Sequence, residues 1–307
     1  MYNEDIKKRY IEEKENAVVM PNNYLTLQFN HSEEYEIEIE KDISNFTTYE
    51  ILEYYKIRNF ISLDSLNVLN SQLSLYTQWC LQNNLVIDNQ NHFLEINLEM
   101  LKNCINKLVI SKSLVDRQEF LKLIKELPNP KDQFILLSLF EVGKSKDFKD
   151  IVTAKITDIK ENTLTLFDGR EVQISDELKN IALESYGEDT YYSISGKGMK
   201  KMPLIVVNNQ IVRSYPNVKN DVSDFQKGRV IYSSCVRSLK YLGVEKWMSA
   251  NSIVEAGKLD MIKRRSTELN MSMRDYIYSD YISEVEHQYG CKIVRSIYVK
   301  KYSDYLD

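Results

Sequence analysis

The sequence predicts an α+β protein, mostly helical, with helices first, then a small antiparallel sheet, then helices again. Three observations predict it. Apolar residues recur at helical spacing before residue 126 and again from Gln226 to Tyr289. Thr163-Leu-Thr-Leu-Phe, Asp168-Gly169 and Arg170-Glu-Val-Gln-Ile form the strongest hairpin signal in the chain. Phe134-Ile-Leu-Leu-Ser-Leu-Phe-Glu-Val-Gly143 fills more than one helical face, so it marks a buried central helix.

Taken in order, residues 1–15 read as a charged surface helix. Within Asn22–Lys41, Tyr24-Leu-Thr-Leu-Gln-Phe-Asn and Tyr35-Glu-Ile-Glu-Ile alternate as short strands or extended arms do. Residues 1–43 are therefore set apart as an acidic N-terminal segment, with Glu33–Asp42 a solvated edge or an arm over a basic surface. From Ser44 the pattern turns helical. Thr47 or Thr48 can cap Tyr49–Tyr55, and Ser62 or Asp64 can start the helix through Cys80. Leu66, Leu69, Leu73, Tyr76 and Trp79/Cys80 form one apolar stripe of that helix. Further helices over Phe93–Leu108 and Asp116–Lys125 give a four-helix domain at 44–112 and a second domain at 116–307.

Asn129-Pro130 is a cap and first-turn pair, and Gly143 is the expected stop. A short helix follows, then the hairpin and a helix over Asp176–Tyr186. Two extended pieces, Tyr191–Ser195 and Met202–Val207, flank the basic turn Gly196-Lys-Gly198. Helices are expected at Gln226–Leu242, Ser249–Leu269, Ser272–Ser279 and Asp280–Tyr289.

Composition narrows the function classes. Hydrophobic content of 43% is that of a globular protein, and no apolar run is long enough to span a bilayer. The N-terminus lacks signal-peptide order, and the four cysteines form no paired ligand spacing, so a cytoplasmic protein with reduced thiols is expected. No His-Cys-Asp constellation has metal spacing and no cofactor motif is complete, so neither metal nor cofactor is expected. Gly196-Lys-Gly-Met-Lys-Lys201 lacks the ending and the following helix of a phosphate loop.

The formal charge of −5 is unevenly distributed. Lys197, Lys200, Lys201, Arg213, Arg237 and Lys240, with Lys258, Lys263, Arg264 and Arg265 beyond them, form a basic stretch suited to a phosphate backbone.

From Ser44 to Tyr289 the architecture resembles the tyrosine recombinases, the phage-integrase family. The Ser65–Cys80 helix is similar to a helix of their core-binding (SAM-like) domain. Lys131–Gly143 resembles the helix leading into the first catalytic box, and Asp150-Ile-Val-Thr-Ala-Lys-Ile-Thr-Asp158-Ile159 has the spacing found after it. The Asp168-Gly169-Arg170 hairpin is similar to the one carrying the family's catalytic lysine. Ser249–Gly257 looks like the start of the helix bearing its His-x-x-Arg motif.

This resemblance implies a helical core-binding domain and an α+β catalytic-like domain that clamp duplex DNA. It also locates departures. Where the family has Gly-x-Arg-x-x-Glu-Leu, this chain has Gly143-Lys-Ser-Lys-Asp-Phe-Lys-Asp150-Ile151, with Ser145 or Asp147 in the arginine's place. The His and Arg positions fall at Asn251 and Val254. Arg170 could imitate the lysine, and Tyr281 or Tyr289 lies near the nucleophile's place. Losing one charge-stabilising group lowers rate by about 10²–10³, so no enzyme activity is expected.

A fold that keeps the clamp and loses the chemistry resembles the integrase-like lysogeny repressors of SPβ-type Bacillus phages. The resemblance implies operator DNA as the partner, with Arg170 and the basic stretch on phosphates. A regulatory protein or peptide could release such a repressor, though no residue points to one. Two alternatives stand beside it: an active, divergent recombinase using Tyr281 or Tyr289 with Arg170, and a scaffold that binds protein through its acidic N-terminal segment. Oligomeric state and operator sequence are not encoded legibly.

Overall fold

The computed structural model describes residues 1–15, 23–58, 60, 63–194, 200–216 and 223–306. The chain forms two compact units, Met1–Ile110 and Ser111–Asp307, each with its own apolar core.

The first unit is helical. Its elements are α1 (Glu4–Glu15), α2 (Asn23–Ile39), α3 (Thr48–Ile57), α4 (Leu63–Gln82), α5 (Leu98–Asn103) and α6 (Lys107–Ser113), in which the division of the chain falls. The expected cap is present at Thr47, whose side chain and that of Glu50 form a capping box at the start of α3. The expected stripe of α4 is also present: Leu66, Leu69, Leu73, Tyr76, Trp79 and Cys80 are all buried.

The strands or arms expected at Tyr24–Asn30 and Tyr35–Ile39 are not formed; Asn23–Ile39 is helix α2. Its buried face is Leu25, Gln28, Phe29, Ser32 and Glu36, which is helical spacing. Three of those five residues are polar, so the period is hidden and the local Glu-Ile alternation stands out instead. Residues 1–43 are likewise no separate acidic segment. Tyr10, Ile11, Leu25 and Phe29 enter the same core as α4.

Lys7 and Glu36 are fully buried and paired at 2.6 Å. Ser32 Oγ and the Ile43 N–H also donate to the Glu36 carboxylate. The single helix expected over Phe93–Leu108 is broken. Asn97 accepts from the N–H groups of Glu99 and Met100, capping the short α5 and separating it from the 3₁₀ turn His92–Glu95.

The second unit is built around α8 (Pro130–Glu141), which nine buried residues make its centre. α7 (Arg117–Ile124) precedes it, and Gly143, at φ +92°, ends it as expected. α9 (Lys149–Thr153) leads into a three-stranded antiparallel sheet of β1 (Ile159–Lys160), β2 (Thr163–Thr165) and β3 (Glu171–Gln173). Leu164 faces Val172 across the hairpin, and both are buried.

α10 (Asp176–Gly187) packs on α8, and β4 (Thr190–Tyr192) pairs with β5 (Lys201–Pro203) as the two extended pieces predict. The remaining helices are α11 (Asp224–Tyr241), α12 (Ala250–Glu268), α13 (Met273–Tyr278), α14 (Ile282–Tyr289) and α15 (Arg295–Tyr302). α15, absent from the sequence expectation, places Tyr298 and Tyr302 in the core. The architecture is the α+β, mostly helical one predicted. No helix among the described residues is long and apolar enough to cross a membrane.

Candidate nucleic-acid interface

The region where a recombinase would hold a phosphate starts just after α8. Asp147 and Phe148 both adopt left-handed backbone, with φ of 57° and 56°. The raised backbone is accommodated by Gly228 on α11, where a Cβ would lie 2.0 Å from the Asp147 carbonyl oxygen. Only glycine permits that approach. Neither candidate for the arginine's place presents a cation. Ser145 Oγ accepts from the Asp150 N–H at 2.9 Å, and Asp147 is anionic. Lysines surround the pair instead: Lys144 and Lys146 are exposed, and Lys149 lies 4.7 Å over the Phe167 ring.

Arg170 is engaged inside the unit. Its Nε donates to Asp168 Oδ2 at 2.8 Å, its Nη1 to the His287 carbonyl at 2.7 Å, and its Nη2 lies 3.7 Å from Asp150 Oδ2. The carbonyls it meets are those ending α14, where a cation is favoured by the helix dipole. Gly290, at φ +58°, makes room: a Cβ there would sit 2.5 Å from the guanidinium. Burial pushes the Asp150 carboxyl above the usual range, and its Oδ1 has no hydrogen-bond partner among the described residues.

Asn251 is exposed in the first turn of α12, while Val254 is buried in the core. Tyr289 is enclosed, its hydroxyl donating to the Phe140 carbonyl at 2.6 Å, and burial pushes its phenol well above the usual range. Tyr281 is half-exposed and stacks on Tyr276. Its neighbours Asp280 and Glu284 are paired with Arg295 and Arg265.

The basic residues of the sequence reading divide into two groups. Arg213 donates to the Tyr186 carbonyl at 2.5 Å and lies over the Tyr186 ring. Lys258 pairs with Glu255 and is mostly buried. Arg264 pairs with Asp260, and Arg265 with Glu268 and Glu284, all along a 980 Å³ cleft rich in carboxylates. Lys200, Lys201, Arg237, Lys240 and Lys263 are exposed, whereas Lys197 lies outside the described residues.

The exposed group contains the face of α11. Ser223 caps this helix in a capping box with Gln226, and Gly228, Ile231, Ser234, Cys235, Ser238 and Leu239 anchor its inner side. Outward lie Arg229, Arg237 and Lys240, interleaved with Phe225, Tyr232, Val236 and Tyr241. Asp224 is the single acid in the helix, against four bases. Arg229 belongs to the basic stretch legible in the sequence, whereas the Lys144–Lys149 cluster lies beside the missing arginine's place and is not part of that stretch.

In the first unit α4 exposes Asn67, Val68, Ser71, Leu75 and Gln78, and Asp64 is its single charged residue. Residues 1–110 hold nine Lys and Arg against 17 Asp and Glu, and residues 111–307 hold 31 against 28, giving −8 and +3. Eleven of those 17 acids precede Ile43, so the acidity belongs chiefly to α1 and α2 and not to α4. No cluster of three or more His, Cys, Asp or Glu among the described residues is arranged to hold a metal.

Comparison with known proteins agrees with this division. Residues 1–82 match the family described as "MrpR, N-terminal core-binding domain", and residues 114–306 match "MrpR, C-terminal catalytic domain". The chain is 24% identical over 306 residues to the SPbeta prophage-derived uncharacterized protein YopR of Bacillus subtilis (strain 168), covering 94% of this chain and 91% of that protein. A crystal structure of XerA recombinase aligns over 97% of this chain and 93% of its own, at 12% identity and a TM-score of 0.36. The chain belongs to the MrpR family, with the core-binding and catalytic-type domains of a tyrosine-recombinase-like protein.

Proposed function

We propose that this protein is a sequence-specific, double-stranded DNA-binding regulator that does not cut DNA, acting as a transcriptional repressor of a phage or prophage. The outward face of α11 carries the reading. It combines three exposed cations with aromatic and aliphatic side chains and almost no acid, the composition of a helix that lies along a phosphate-lined groove. Phosphate contacts from Arg229, Arg237 and Lys240 fix its register, with Lys144, Lys146, Lys200 and Lys201 as further basic contacts. The amide and aliphatic stripe of α4 supplies chemistry suited to adenine edges and thymine methyl groups. Membership of the MrpR family and likeness to a prophage-derived protein support the phage setting.

Absence of cleavage is argued from the residues at the would-be centre. Ser145 or Asp147, Asn251 and Val254 supply no cation, Arg170 is committed to intramolecular partners, and Tyr289 is walled in. Tyr281 favours the alternative of a divergent recombinase, because its phenol is reachable. Arg265 and Arg295 on either side of it in sequence are already paired with Glu284 and Asp280, which weakens their use in stabilising a phosphorane, whereas Arg274 is exposed.

Selection of genomic fragments by the tagged full chain tests the reading. A recurring sequence near promoters is expected, together with loss of enrichment in an Arg229→Ala/Arg237→Ala/Lys240→Ala variant that remains folded. Absence of enrichment by the unsubstituted chain would overturn it.

A further inference from the structure

Between the start of α8, the segment 210–215 and the first two turns of α11 lies a cavity of about 70 Å³. Its polar lining is Lys131, Gln210, Arg213, Ser214, Tyr215 and Lys227, and aliphatic side chains complete it. Three of these residues are cations and none is an acid.

Lys131 is the unusual one. It is 4% exposed, yet it makes no ion pair with any carboxylate of the described residues. An ammonium has three donors. One goes to the Arg213 carbonyl at 2.7 Å, and the Tyr215 ring lies 4.8 Å away. The carboxylates that feel its charge are engaged elsewhere. Asp132 accepts from Ser234 Oγ at 2.7 Å and from Asn129 Nδ2 at 3.0 Å, and Glu188 accepts from the Lys131 backbone N–H at 3.3 Å. Buried charges are ordinarily paired, because desolvation costs more than a lone hydrogen bond returns. Burial accordingly pushes the Lys131 ammonium down to about 8, so it still carries its charge at neutral pH.

We propose that this cavity binds a phosphate-class oxyanion, held by Lys131 with Lys227 and the Arg213 guanidinium at its sides. The space suits one tetrahedral anion, and the anion supplies the countercharge that the fold omits. Its source is either a free phosphate compound or a backbone phosphate of DNA, since Lys227, Val230 and Ile231 of α11 form one wall. Occupation is thereby coupled to the position of that helix. The site does not depend on the DNA-binding reading, because its first test contains no DNA.

The test is thermal unfolding and calorimetry of the full chain in inorganic phosphate against chloride at matched ionic strength. The unsubstituted chain is expected to show a saturable rise in melting temperature. Lys131→Met keeps the stem and removes the lone charge, so it is expected to fold. Its half-saturation should rise by about 10- to 100-fold, the loss expected for one hydrogen bond to a charged group. Lys227→Gln should weaken binding as well, and Lys125→Gln, at the exposed end of α7, should not.

No saturable rise in the unsubstituted chain, or an equal rise in Lys131→Met, overturns the proposal, since the latter is what a general salt effect gives. A second arm separates the sources. If the site takes a DNA phosphate, free phosphate displaces DNA at fixed ionic strength and Lys131→Met weakens DNA binding. If it takes a free anion, phosphate binds the DNA-loaded chain as well as the DNA-free one.

Discussion

The Tyr289 hydroxyl sits 2.6 Å from the Phe140 carbonyl in a fully enclosed site. Its role there is to tie α14 to the end of α8. Tyr289→Phe is expected to cost about 1–2 kcal/mol by leaving a buried carbonyl unpaired, read as a lower urea midpoint, with DNA affinity unchanged. A nucleophilic role would instead show as lost covalent chemistry at unchanged stability. Lys131 gives a pH signature. The folded chain releases that proton near pH 8 and the unfolded chain near 10.5. Within that window the unfolded state binds more protons, so stability rises with pH, by at most about 1.4 kcal/mol per unit. The contribution is complete above the unfolded value and is lost as pH falls through the folded one. Urea midpoints from pH 7.5 to about 10 should show this rise in the unsubstituted chain and not in Lys131→Met. The sequence made Ser145, Asp147, Asn251 and Val254 legible as departures because spacing alone locates them. It could not show that Arg170, Arg213 and Lys258 turn inward, since a cation's partners are tertiary neighbours far along the chain.

At the scale of elements, α11 carries both the surface and the seam. Alanine normally stabilises a helix over glycine by about 0.5–1 kcal/mol. At Gly228 the approach to the Asp147 carbonyl reverses that sign, and Gly228→Ala is expected to destabilise by about 1–3 kcal/mol through overpacking. Alanine at Arg229, Arg237 and Lys240 removes no buried group. Its expected effect is on DNA alone: a shallower dependence of log affinity on log salt, by about 3 in slope if each contacts one phosphate. Fluorescence anisotropy over a salt series measures it. The hairpin and the helices of the second unit other than α15 were legible because their caps and apolar periods agree, whereas α15 has no side-chain cap. α2 was not, because Ser32 and Glu36 occupy core positions and break the apolar count. Glu36 is tolerated there because Lys7 of α1 neutralises it. Lys7→Ala should therefore loosen α1 and α2 together, at a cost of about 3–5 kcal/mol for a broken buried pair.

Over the whole molecule the two units have opposite tendencies, −8 and +3, while the exposed faces of α4 and α11 are nearly free of acids. On the proposed function, net charge is therefore a poor guide to DNA affinity, which local surfaces would set. The division into a core-binding and a catalytic-type part was readable from element order, whereas the membership of residues 1–43 in the first core was not, because burial of Tyr10 and Phe29 depends on contacts with α4. The central claim is occupancy without cutting. It is tested most directly by splitting one reaction, the full chain saturating a labelled fragment enriched from genomic DNA, between a native gel and an SDS gel. The account predicts a retarded complex in the first and only free DNA in the second. A labelled DNA–protein adduct surviving SDS, or no complex at saturating protein, would contradict it.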